Sequence, residues 1–452
     1  MKLQYRATMQ RSSTNSFKSR SGKSRTATTE LQPDAGLNKL LADSPAVECG
    51  SDREQEERLQ KDMPGTAKSS AQKCSAQMSL TNARLVLRGE IVSGSIQIAD
   101  GKITSVDSGP SVVGEDLQQD FLLPGLVELH TDHIESHFAP RPGVRWNTLS
   151  AIQAHDAQIA ASGITTVFDC LRVGRDEDDM FNQGEMVELA SALELAASQG
   201  RLRAEHLLHL RCEVSAPDAL IEFAQFDHNS RVRIASLMDH APGQRQFQDM
   251  AEFEKYHRKR DGMDAESYAA LVERRVQHSN TYSQPHRQAI AAACKLRNIT
   301  LASHDDANIA HVHEALGFGV SIAEFPTTQA AAAEASRSGM KILMGAPNVV
   351  RGQSHSGNLA AKDLAHNGLL NLLSSDYVPS SLLHAPFVLA MEEEAMSLPD
   401  AVRLVTSNPA GVTGLSDRGE IRQGLNADLI RVRYQDNVPY VRSVWRQGLR
   451  VA

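Results

Sequence analysis

Hydrophobic positions are absent in any periodic sense from residues 1 to 77, a stretch rich in Ser, Thr, Lys, Arg and Gln. Such a segment buries too little apolar surface to offset the entropy of ordering, so it reads as a disordered N-terminal extension. From Met78 the pattern changes. Ala83-Arg-Leu-Val-Leu-Arg88 and Gly94-Ser-Ile-Gln-Ile98 alternate as strands do, and Asp100-Gly101 is a hairpin dipeptide before Lys102-Ile-Thr-Ser-Val106. Ala427-Asp-Leu-Ile-Arg-Val432, Tyr440-Val-Arg-Ser-Val-Trp445 and Leu449-Arg-Val451 alternate similarly at the far end. Residues 78–121 and 412–452 are therefore expected to form one small β domain, a sandwich built from both ends of the folded region.

Between them, short apolar runs alternate with helical stretches. The predicted strands are Leu122–Leu129, Thr165–Phe168, His206–Val214, Arg233–Met238, Thr300–Ala302, Ile322–Phe325, Ile342–Met344 and Leu370–Leu373. Eight strands with intervening helices over 122–411 predict an α/β fold, a (β/α)8 barrel whose catalytic groups sit at strand C-termini. The long gap after Met238, charged and aromatic, predicts a helical insertion over about 245–285.

Composition narrows the class. A net charge of -8 argues against a general nucleic-acid binder. No apolar run approaches the roughly 20 residues needed to span a bilayer. Five scattered cysteines, odd in number and without a CxxC pair, fit a reducing compartment, with cytoplasm the default. The first 29 residues carry seven Lys or Arg and no acid, as an organellar transit peptide would, although a functionless extension is the simpler reading. Oligomeric state is left open, a homo-oligomer included.

Candidate chemistry gathers where the predicted strands end: His130 and Asp132, Glu213, His240, His304 and Asp376. One such residue would be an ordinary structural group. Six placed alike point to a divalent cation, because buried imidazoles and carboxylates are costly to leave unpaired. His209 shares the predicted face of Glu213 but lies deeper. His133 and His137 fit phosphate or indirect contacts, and Cys170 and Cys212 fit inert core positions.

The longer strings Glu128-Leu-His-Thr-Asp132, Pro140-Arg-Pro-Gly-Val-Arg-Trp146, Ser236-Leu-Met-Asp-His-Ala-Pro-Gly-Gln-Arg-Gln-Phe247, Ser303-His-Asp-Asp306, Ala323-Glu-Phe-Pro-Thr-Thr328, Met344-Gly-Ala-Pro-Asn348 and Ser374-Ser-Asp-Tyr377 carry a resemblance. The chain resembles the amidohydrolase superfamily, and within it the diphosphatases of the carbon-phosphorus lyase pathway, over about 80–452. The resemblance implies two divalent metal ions, zinc or manganese. His130, Asp132 and Asp376 would hold one and His240 and His304 the other, with Glu213 bridging and Asp376 also serving as catalytic base. It implies a small phosphorylated ribosyl phosphonate as substrate, a ribose 1-methylphosphonate 5-triphosphate cleaved to pyrophosphate and the 5-phosphate.

A triphosphate calls for arginine forks. Arg141, Arg145, Arg172, Arg245 and Arg351, with His355, are the expected substrate contacts. Two other functions remain open: an amidase or cyclic-amide hydrolase on the same fold, and an inactive assembly subunit, which should lack ligands that this chain keeps. The chain departs from the resemblance in its N-terminal extension and in His133, where an asparagine is expected.

Overall fold

The computed structural model describes residues 77–175, 181–245, 253–254, 264–354 and 358–452. The expected N-terminal disorder, His355 and part of the expected insertion lie outside the described residues.

The terminal segments share one sheet. Strands β1 (Met78–Val86), β2 (Ile91–Ala99), β3 (Lys102–Ser108), β4 (Glu115–Asp116) and β5 (Phe121–Pro124) join β14 (Leu429–Gln435), β15 (Val438–Arg446) and β16 (Leu449–Arg450). The order is β16-β15-β14-β5-β1-β2-β3, with β4 on β1. Pairing is antiparallel except where β1 meets β4 and β5. Both ends of the folded region thus build one small β domain, a continuous sheet whose buried Leu80, Leu85, Ile96, Leu122, Leu429 and Trp445 form their own core. The Asp100-Gly101 turn between β2 and β3 has positive φ at both residues, 52° and 77°, as the tight hairpin requires.

The middle of the chain forms eight parallel strands: β6 (Leu126–Thr131), β7 (Ile164–Val173), β8 (Glu205–Glu213), β9 (Val232–Met238), β10 (Thr300–His304), β11 (Ile322–Glu324), β12 (Lys341–Gly345) and β13 (Leu372–Ser374). The Thr131–Asp376 bridge joins the last strand's end to the first, nearly closing a barrel. The run expected as one strand over Leu122–Leu129 divides at Pro124-Gly125: its first half pairs with the small sheet and its second opens the barrel. Gly125 is required there, since a Cβ would fall 2.2 Å from Thr165 Oγ1. The charged stretch after Met238 contributes a 33-residue helix, Ala265–Arg297, which runs past the expected end of the insertion and is capped by Asp264, which accepts from Ser267 N.

Period-two alternation layers the barrel interior. Val127, Leu129, Phe168, Leu207, Ile234, Ala302, Ile322, Leu343 and Leu372 form an apolar floor. Two residues further along their strands come Cys170, His209, Ser236, His304, Glu324, Gly345 and Ser374. The strands thus change from apolar to polar in one step toward their C-terminal ends. Larger aliphatic surfaces on the outer faces pack against the surrounding helices.

Candidate active site

β6 breaks the alternation. Its register against β7 slips between Glu128 and Thr131, so His130 turns inward although Leu129 before it already packs in the floor. Irregularities of this kind re-aim side chains next to sites. Glu128 fixes the slip: Oε1 accepts from His130 N at 2.7 Å and Oε2 from Ser375 N at 2.5 Å. Burial pushes the Glu128 carboxyl up to about 7.

The strand ends bring several expected residues together. His130 Nε2 lies 3.9 Å from Asp132 Oδ1. The His130 and His304 rings stack at 5.7 Å, and His304 meets His240 at the same centroid distance. His240 Nδ1 donates to Glu213 Oε2 at 2.6 Å. The Asp376 backbone amide donates to His130 O at 3.1 Å, and Asp376 Oδ2 lies 3.8 Å from where a Cβ on Gly345 would stand. All six proposed ligands therefore lie at one barrel mouth, connected through these contacts. Asp305, Phe325 and Asp376, just past β10, β11 and β13, hold positive φ of 52–55°. Left-handed backbone at non-glycine residues costs about 1–3 kcal/mol each and clusters at functional sites.

Three mouth residues were not expected from the sequence. Glu324 is fully buried and faces His130 Nδ1 at 3.3 Å, His304 Nδ1 at 3.2 Å and Ser236 Oγ at 2.6 Å. Arg211 places Nη1 2.5 Å from Asp132 Oδ1. Asp305 places Oδ2 3.4 Å from His304 Nε2. Their signal was available: Arg211 and Glu324 stand two residues beyond apolar positions or other polar inward ones, and Asp305 follows His304 directly. His209 does lie deeper than Glu213, with Nδ1 donating to Leu129 O at 2.8 Å.

Charge in the mouth is strongly perturbed. Burial works against ionised Asp132, but Arg211, His130 and Arg172 hold it down to about 2. Burial likewise opposes ionised Glu213, yet His240 and Ser215 hold it below the usual range. Asp305 Oδ2 is buried without a hydrogen-bond partner, as expected where an acceptor-only oxygen awaits a cation, whereas Asp132 Oδ1 is paired with Arg211. The donor set of imidazoles and carboxylates suits zinc or manganese equally. His240, His304 and Asp305, and His130, His304 and Glu324, each bring three candidate ligand atoms within 4.8 Å of one another.

The expected substrate arginines divide into two groups. Arg145 forms a two-pronged pair with Glu185 at 2.8 and 3.0 Å, and Arg172 does so with Glu135 at the same distances. Arg245 is buried against Asp306 and Glu314, which makes it first a structural cation. Arg141 and Arg351 are exposed, and among the described residues no carboxylate pairs with either. Arg351 Nη1 donates to Tyr377 Oη at 3.4 Å, next to Asp376.

A family model, Amidohydrolase family, matches residues 149–448. The chain belongs to the amidohydrolase family. This amidohydrolase is 45% identical over 377 residues to the alpha-D-ribose 1-methylphosphonate 5-triphosphate diphosphatase of Escherichia coli (strain K12), covering 83% of this chain and 100% of that one. Among solved structures it is similar to N-acetylglucosamine-6-phosphate deacetylase from Pasteurella multocida, with TM-score 0.56 and 12% identity over 83% of this chain and 99% of that one. 5-Methylcytosine deaminase from Klebsiella pneumoniae gives TM-score 0.56 and 13% identity over 83% and 98%. Both show the shared amidohydrolase fold. It is a hydrolase fold that uses divalent metals, and among the described residues no helix is long and apolar enough to cross a membrane.

Proposed function

We propose that this amidohydrolase cleaves alpha-D-ribose 1-methylphosphonate 5-triphosphate, releasing pyrophosphate and leaving the 5-phosphate. The 45% identity over the whole length of the Escherichia coli diphosphatase carries this reading. The arginines of the rim and the imidazoles and carboxylates gathered at the mouth above the apolar floor are compatible with it.

His130, Asp132 and Asp376 would hold one divalent ion, and His240 and His304 a second, with Glu213 between them. Such ions supply Lewis acidity to the phosphoryl oxygens. The chain's own groups do the rest. Asp376, half-buried and held by its backbone against β6, takes a proton from the attacking water as its oxygen bonds to the α-phosphorus. The bond from that phosphorus to the bridging oxygen breaks, and pyrophosphate leaves. Arg141 and Arg351 are placed to meet the outer phosphates as forks without first giving up a carboxylate. Arg145 and Arg172 can join them by exchanging Glu185 and Glu135 for phosphate oxygens, while Arg245 supports the loop after β9. The buried, unpaired cysteines 170, 212 and 294 suit a reducing cytoplasm.

The test is pyrophosphate release from the ribosyl triphosphate, set against a panel of cyclic amides and N-acetylated sugars. Preferred turnover of the triphosphate supports the proposal. Turnover confined to the amides would replace it with the C–N hydrolase reading.

A further inference from the structure

Glu324 belongs to no expected ligand set, yet it is the most heavily engaged carboxylate of the mouth. It closes β11 directly beyond Ile322 and Ala323 in the buried wall. Its two oxygens face different histidines: Oε1 meets His130 Nδ1 at 3.3 Å, and Oε2 meets His304 Nδ1 at 3.2 Å. The two rings lie nearly parallel, 20° apart, so each turns the same edge to the carboxylate. The opposite edges point to two acids at the mouth, with His130 Nε2 toward Asp132 and His304 Nε2 toward Asp305. Ser236 Oγ donates to Oε2 at 2.6 Å and also lies 2.5 Å from His209 Nε2, which ties Glu324 to the deeper layer of the barrel.

A carboxylate on one imidazole nitrogen fixes which nitrogen carries the proton and leaves the other as a lone pair for a metal. One carboxylate serving two ligand histidines would set both tautomers and both ring angles together. We propose that Glu324 is the shared positioning residue of the mouth, holding His130 and His304 as Nδ1–H tautomers so that both present Nε2 to the metal, with Ser236 as its anchor. Glu324 itself is then not a ligand. This rests on the metal-centre reading made above and concerns how this chain prepares that centre.

The first test needs no substrate. Nitrogen-15 histidine spectra of the chelated wild-type protein should show His130 and His304 with the proton on Nδ1, assigned by loss of signals in His130→Gln and His304→Gln. Nε2–H tautomers at these positions would overturn the inference. Titration with Co(II) gives the second readout. Glu324→Gln should bind Co(II) about 10- to 100-fold more weakly and scramble both tautomers, while its absorption envelope at saturation stays that of the wild type. Should Glu324→Gln fail to fold, Ser236→Ala retains both histidine contacts and should keep the tautomers with a loss of only a few-fold in affinity.

Wild-type affinity in a folded Glu324→Gln, or an altered envelope at saturation that marks Glu324 as a ligand, would overturn the assignment. A wild-type protein that binds no Co(II) would remove the metal-centre reading along with this one. Tight wild-type binding unaffected by Glu324→Gln would remove this inference alone.

Discussion

Inside the barrel, His130, His304, Asp132, Asp305 and Glu324 crowd the mouth; outside it, His155, Asp156, Asp169 and His206 fill the seam between β7, β8 and the helix Thr148–Ala161. Both groups are buried imidazoles and carboxylates. Their hydrogen bonding separates them. In the outer group Asp169 accepts from His155 Nε2 and from His206 Nδ1, both at 2.7 Å, and His206 Nε2 donates to Asp156 Oδ1 at 3.3 Å. Asp156 also accepts from the backbone of Arg203 and Ala204. Both nitrogens of His206 and both oxygens of Asp169 are thus occupied, an arrangement that locks a helix to the barrel wall, and His155 Nδ1 is left without a partner. In the mouth, Asp305 Oδ2 and Ser374 Oγ have no hydrogen-bond partner, and left-handed backbone recurs at Asp305, Phe325 and Asp376. Residue type alone therefore does not identify a metal centre. Left-handed backbone at the strand ends, beside an unpartnered carboxylate oxygen, sets the mouth apart.

Substitutions in the two clusters should fail in different ways. Asp376→Asn should lower pyrophosphate release by about 10²- to 10⁴-fold while metal content and melting temperature remain those of the wild type; a near-normal rate removes Asp376 as the base. Asp169→Asn should do the reverse. Breaking one partner of a buried pair costs about 3–5 kcal/mol, which urea denaturation would register as an earlier midpoint, with metal per folded chain unchanged. Loss of metal from that variant would merge the two clusters into one functional unit.

pH sharpens the contrast further. Burial opposes a charged His206, but Asp169 and Asp156 raise its imidazole to about 9. Its unfolded value is about 6.5, so the stabilisation is complete below about 6.5 and disappears as pH rises through 9, a term of about 3 kcal/mol. Melting temperatures between pH 6 and 9.5 should fall more steeply in the wild type than in His206→Gln. Equal slopes would show that this pair does not set the alkaline limit. The smallest effect is expected at the rim, where Arg351→Ala should raise KM about tenfold with kcat nearly unchanged. A matching fall in kcat would give Arg351 a role in the transition state.

Much of this architecture was legible in alternation alone. Short apolar runs marked all eight barrel strands, because strands buried on both faces have little other way to be written. The division at Gly125 was hidden because apolar residues continue on both sides of it, one half belonging to each domain. His130, Asp132, Glu213, His240, His304 and Asp376 stood out as metal-type residues ending those runs. Glu324 and Arg211 did not, since one closes a three-residue strand and the other sits beside a more familiar ligand type. Pairing of Arg145, Arg172 and Arg245 with carboxylates was equally hidden, because Glu185, Glu135 and Asp306 come from distant or helical positions that periodicity does not relate.

The most direct measurement is metal per chain together with pyrophosphate release, taken before and after exhaustive chelation and reloading, for the wild type, His304→Gln and His206→Gln. Metal and activity should leave and return together in the wild type, be lost in His304→Gln and survive in His206→Gln at a temperature where it is folded. Activity that persists in the chelated wild type, or metal that departs with His206 and stays with His304→Gln, would contradict the account.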